Sequence, residues 1–293
     1  MEPSDLWHLY SGSSISLDDG AQATFSWWEW HWHSDLHGGL LLFTAAYLLC
    51  VGPLRGFLVQ PDIIKPTKLQ ITSFLAGVLT MVFALSGPIH ELADNYLFSA
   101  HMAQHILITL VVPPLLLLGT PDWLLRPLTR ISVVMRLGRF FTLPLVAFLL
   151  FNSVFSIWHF PLFYDGALRQ HAFHILEHLL FLATAVIVWW PVLSPLPELP
   201  RIPYPTQVLY LVLLSISQTP LFAVITFSND VIYSFYETAP RIWDISPLTD
   251  QQLGGIIMKV SWIAVFLPAI CIIFLKWFYH EETEDRHEFE TTV

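Results

Sequence analysis

Long apolar runs dominate the chain, and each is closed by a short polar or proline-bearing stretch. Seven runs have the roughly 20 residues that a helix needs to cross a bilayer. They are 36–58, 69–89, 99–119, 142–161, 171–192, 206–228 and 252–278. The breaks carry helix-ending punctuation: Pro53, Pro61 and Pro66, then Pro121 and Pro127, then Pro195, Pro197, Pro200, Pro203 and Pro205. The pattern predicts an all-α, polytopic membrane protein with seven transmembrane helices spanning 36–279. An extracytoplasmic N-terminal arm, 1–35, precedes them, and an acidic cytoplasmic tail, 280–293, follows. No internal repeat or separate soluble domain is visible.

Basic residues orient these spans, because loops rich in Lys and Arg stay on the cytoplasmic side. Arg55, Lys65, Lys68, Arg126, Arg130, Arg136, Arg139, Arg201, Lys276 and Arg286 all fall on one side. The other side holds Arg169 and Arg241, and Lys259 lies inside the last span. The N-terminus is therefore expected outside and the C-terminus inside.

Composition agrees with the pattern. Of 293 residues, 55% are hydrophobic and only 12% charged, about half the charge of a soluble domain. The net charge of −10 is concentrated at the ends and in the loops, and "EETEDRHEFETTV" supplies six of the carboxylates. No basic patch suggests a nucleic acid partner. Cys50 and Cys271 stand alone in apolar runs, as inert buried thiols do. The first 35 residues are polar and aromatic, so no cleavable signal peptide is expected.

The histidines change the picture. Eleven of thirteen map to the outer half: His8, His31, His33, His37, His90, His101, His105, His159, His171, His174 and His178. Only His280 and His287 are inside. His101 and His105, four residues apart, share a helix face. His171, His174 and His178 share another, with Glu177 beside them. Both helices start outside, so the deeper histidines meet at similar depth if the helices are neighbours, and His159 approaches from the end of the span before. Converging imidazoles suit copper, zinc or iron, and ionisable groups at membrane depth are usually functional. Glu177 is a candidate ligand or a partner for a ligand's second nitrogen. Met258 and Met102 offer thioethers, which favour Cu(I). Lys259 is expected to pair with Glu177 or Asp250, or to snorkel outward. Pro220 is expected to kink the sixth span, leaving Ser217 and Gln218 to satisfy freed backbone groups. The Trp- and His-rich stretch 24–39 reads as an aromatic belt or a surface metal-capture site.

Four segments in order carry a family resemblance: "HMAQHILITLVVPPLLLLGTP" (101–121), "WHFPLFYDGAL" (158–168), "HILEHLLFLATAVIVWWPVL" (174–193) and "DQQLGGIIMKV" (250–260). Together they resemble the CtaG-type cytochrome c oxidase assembly factors, seven-helix proteins of the bacterial inner membrane. The resemblance implies a role in maturing haem–copper oxidases, with delivery of copper to the catalytic subunit; the nearby thioethers make Cu(I) the expected state, and a periplasmic copper donor is an expected partner. It implies site positions at His101, His105, His159, His174, Glu177, His178, Asp250, Gln251 and Met258. Lys259 stands where an aromatic residue is expected.

Three other functions fit parts of the pattern. "HILEH" matches the H-x-x-E-H zinc-hydrolase motif, with Glu177 as general base, and a di-metal oxidase is related to it. A bis-histidine haem protein needs one histidine from each of two helices. A copper or proton permease would need ligands on the inner half as well, where single cysteines and tail histidines are all that is found. The reading that accounts for most of the histidines is a non-enzymatic, copper-binding assembly factor.

Overall fold

The computed structural model describes residues 30, 34–58 and 65–292. The arm expected at 1–35, with His8, His31 and His33, lies almost wholly outside the described residues. Among the described residues all regular structure is helical, as the sequence pattern predicts. The first helices are α1 (Ser34–Val51), α2 (Lys68–Ser86), α3 (Pro88–Asn95) and α4 (Phe98–Gly119). Next come α5 (Asp122–Thr129), α6 (Ser132–Phe141), α7 (Pro144–Trp158) and α8 (Pro161–Arg169). The chain continues through α9 (His171–Leu193), α10 (Tyr204–Phe227), α11 (Ser234–Thr238) and α12 (Pro247–Thr292).

Local chemistry sets these boundaries. Thr67 caps α2 through a reciprocal box with Gln70: the Gln70 amide donates to Thr67 Oγ1 at 3.1 Å, and the Thr67 amide to Gln70 Oε1 at 2.9 Å. Helices α3, α7, α8 and α10 carry a proline in the first turn, where a missing N–H costs nothing.

Among the described residues, five helices are long and apolar enough to cross a membrane: α2, α4, α9, α10 and α12. The expected fourth span is more complicated. Helix α7 alone has 15 residues, about 22 Å of rise against a hydrocarbon core of about 30 Å. It reaches spanning length only together with α6, to which it is bent by 76° at the Thr142–Leu143 break before Pro144. Counted as one span, the pair brings the total to six. The expected first span is short as well. Its apolar helix covers Leu36–Val51 and stops at Gly52-Pro53, ahead of the expected end at 58. Large apolar side chains such as Leu41, Leu79, Leu145 and Phe227 face outward, exposed by more than 60%, as befits a surface solvated by lipid. The protein is a helical membrane protein.

Helix α4 is the centre of the bundle. It packs against α2, α3, α9 and α12, and 61% of its spanning window is buried, against 22–44% for the other four. Close approach needs small residues, since lipid removes most of the hydrophobic drive between helices. A Cβ on Gly119 would sit 2.5 Å from the Phe74 backbone nitrogen, so only glycine lets α4 meet α2 there. Tyr47 fastens α1 at the same place: it donates to the Gly119 carbonyl at 2.7 Å and stacks on Phe74. Gly254 lies directly against the Phe98 ring, which brings α12 onto α4.

Candidate metal centre

Helix α4 carries His101 and His105 in its first two turns, and two devices hold that stretch in place. At its start, Asp250 accepts the backbone N–H groups of Phe98 at 2.6 Å and Ser99 at 3.1 Å. A carboxylate at a helix N-terminus supplies charge-assisted caps for donors that lack intrahelical partners. Asp250 thus orients the helix that bears the histidines. Just below the histidines the helix widens into a π-turn at Leu107–Val111. Pro113, which has no N–H, frees the Thr109 carbonyl, and the Trp189 indole of α9 donates to it at 3.2 Å. That bond ties α4 to α9 below the level where their histidines meet.

The first convergence is His101, His105, Glu177 and His178, whose ligand atoms all lie within 4.8 Å of one another. His101 Nε2 and His105 Nε2 are 2.8 Å apart, and His105 Nε2 lies 3.7 Å from Glu177 Oε1. Donor atoms around a tetrahedral ion with bonds of about 2.0 Å are about 3.3 Å apart, and the two observed separations bracket that. His101, His105 and Glu177 are fully buried. No hydrogen-bond donor among the described residues reaches either Glu177 oxygen, and His178 Nε2 is likewise without a partner. A buried carboxylate with no hydrogen bonds is costly and persists where a cation or a proton meets it. The donor set therefore fits a transition-metal ion.

A second convergence, Asp94, His101 and His174, shares His101 with the first. Asp94 Oδ2 lies 3.6 Å from His174 Nδ1, and Asp94 Oδ1 lies 3.5 Å from His90 Nδ1. His174 also connects back: its ring centroid is 4.3 Å from that of His178 and 5.3 Å from that of His101. His159 closes α7 beside the first group, with its ring centroid 6.0 Å from that of His105. Its Nδ1 donates to the Phe155 carbonyl at 2.6 Å, which leaves Nε2 as the lone-pair nitrogen, buried and without a partner. A carbonyl on the far nitrogen is the usual support for a ligating histidine. Met258 is buried in the main hydrophobic cluster with Phe98, Met102 and Trp262.

Three tyrosines roof the site. The Tyr164 ring lies 5.2 Å from that of His101. Tyr236 donates to the Ala93 carbonyl at 2.7 Å, and Tyr233 to the carbonyl of His159 at 3.0 Å. Burial pushes all three phenols above their ordinary range, so they act as neutral donors. Asp165 pins the roof by accepting from the Ser234 amide at 3.2 Å.

With this geometry in hand, comparison with known proteins is decisive on family. The family model for the cytochrome c oxidase caa3 assembly factor (Caa3_CtaG) matches residues 45–280. The chain belongs to this family. The matched region contains every residue of both convergences. The chain is also 27% identical over 241 residues to an uncharacterised protein of Mycobacterium bovis, covering 74% of this chain and 36% of that one. It has the same identity to an uncharacterised protein of Mycobacterium leprae over 242 residues, with the same coverage. The chain thus spans about a third of the length of these curated relatives. No solved structure matches it.

The sequence pattern did not single out Asp94 or the place of His90 beside it. The i, i+4 spacing of the two in "HELAD" was the available signal. The tyrosine roof was missed as well, although Tyr164 lies inside a quoted segment. Lys259 pairs with neither Glu177 nor Asp250. It donates to Thr219 Oγ1 at 2.9 Å. Helix α10 is interrupted at Gln218, two residues before Pro220; Ser217 Oγ donates to the Leu214 carbonyl at 2.9 Å, whereas Gln218 donates to Asn152 Oδ1 at 2.7 Å.

Proposed function

We propose that this assembly factor holds copper, as Cu(I), in the buried histidine group and passes it to the catalytic subunit of a haem–copper oxidase. His101, His105, Glu177 and His178 are the proposed ligands, with His174 and His159 as additional imidazoles and Met258 as a candidate thioether. Asp250 acts through α4, as its cap. The observation that carries the reading is Glu177: a fully buried carboxylate without a hydrogen bond, set among imidazoles, in a family that assembles a copper enzyme. Imidazole-rich sites accept copper well and can release it by ligand exchange. The role is delivery, without turnover.

In this reading the chain sits in the bacterial inner membrane and crosses it seven times, with α1 and the bent α6–α7 unit as the two irregular spans. The histidine end faces outward, opposite the arginines of α5 and α6, where a periplasmic donor can supply copper. The zinc-hydrolase alternative requires His174 and His178 on one ion, with Glu177 free as a base. The grouping favours copper holding instead, because Glu177 falls with His178 and His174 falls with Asp94.

The test is complementation of a strain lacking the protein. Wild type should restore oxidase activity and the copper content of the catalytic subunit. His105→Ala should leave that subunit present, haem-loaded and depleted of copper. Full copper loading with His105→Ala would defeat the proposal.

A further inference from the structure

We infer that Asp94, His174 and His101 form a second, outer copper position that receives the ion and feeds the inner group through the shared His101. The inference rests on the copper reading above and extends it to residues at the rim. The three donors lie within 4.8 Å of one another. Asp94 is 27% exposed and His90 15%, whereas His174 is 9%, His105 1% and Glu177 fully buried, and His178 is partly exposed. An ion arriving from solvent meets the carboxylate first, then His174, then His101. Asp94 supplies the charge that draws a cation in, while the imidazoles supply the softer donors that Cu(I) prefers.

Two further contacts fix the rim. Gln104 Nε2 lies 3.1 Å from His90 Nδ1 and donates to the Ala84 carbonyl at 2.9 Å. Asp94 lies beside both rings, so the carboxylate sits between the imidazoles of His90 and His174. His101 belongs to both convergences, and its Nε2 is already 2.8 Å from His105 Nε2. An ion held by His174 and His101 thus needs to exchange one donor at a time to reach His105, Glu177 and His178. The copper keeps its oxidation state throughout.

The test titrates purified full-length protein in detergent, anaerobically, with Cu(I) buffered by a chromophoric chelator. It reads equivalents bound and the rate of loading for wild type, Asp94→Asn, Asp94→Glu and His105→Ala. The expected result is two classes of site in wild type. Asp94→Asn should weaken the outer class by roughly 10- to 100-fold, as loss of a ligating or supporting group does, and slow the filling of the inner one. Asp94→Glu should recover most of both, and His105→Ala should keep the outer class alone. Wild-type number, affinity and rate in Asp94→Asn would overturn this inference and leave the copper reading standing. Absence of copper binding in wild type would overturn both.

Discussion

His101 and His105 face each other across one turn of α4 with their Nε2 atoms 2.8 Å apart, and Glu177 of α9 closes on the same point. Two imidazoles and a buried carboxylate this close offer one cation three donors. The surrounding structure keeps that arrangement in place, and its parts can be tested one at a time.

Glu177→Gln removes a buried negative charge and keeps the shape. Without copper, the variant should melt at or above the wild-type temperature, because an uncompensated buried carboxylate is costly. Its Cu(I) affinity should fall by roughly 10- to 100-fold. Thermal melts with and without copper read both effects.

Asp250 and Glu177 are both buried carboxylates, yet they should behave oppositely. Asp250→Ala strips the cap from α4 and should cost about 1–3 kcal/mol of stability, whereas Asp250→Asn should retain copper stoichiometry. Loss of copper in Asp250→Asn at unchanged melting temperature would mean that Asp250 is a ligand.

Gly119→Ala places a methyl group against the Phe74 backbone. Overpacking of this kind should cost roughly 1–3 kcal/mol. The histidine group is at the other end of α4, so copper binding by the folded fraction should be unchanged.

The tyrosine roof gives a pH signature. Burial raises the phenols of Tyr164, Tyr233 and Tyr236 in the folded state. Their contribution to stability is thus complete below the ordinary phenol value of about 10 and is lost as pH rises beyond it. Melting temperature should fall above that pH, and phenolate absorbance from these three should appear only with unfolding. Tyr236→Phe should reduce the alkaline loss.

Much of the site was legible because helix periodicity alone aligns His101 with His105 and His174 with His178. The segregation of histidines to one half of the chain marked the end at which they meet. What could not be read depends on contacts between distant segments. The engagement of Asp250 with Phe98 and Ser99, the roof built by Tyr233 and Tyr236, and the partner of Lys259 all follow from how α12 and the 228–246 loop pack. In the fold, hydropathy located the long spans but carried the fourth, 142–161, past the end of α7 at Trp158. Pro144 and Pro161, each opening a helix, carried the information that α7 is short.

The most direct measurement of the central claim is the copper content of anaerobically purified protein loaded with Cu(I), beside a His105→Ala/His178→Ala double variant, with an absorption spectrum of each. The account predicts stoichiometric copper in wild type, its loss from the buried site in the variant, and no Soret band. Zinc or iron held as purified, with copper refused, would contradict it.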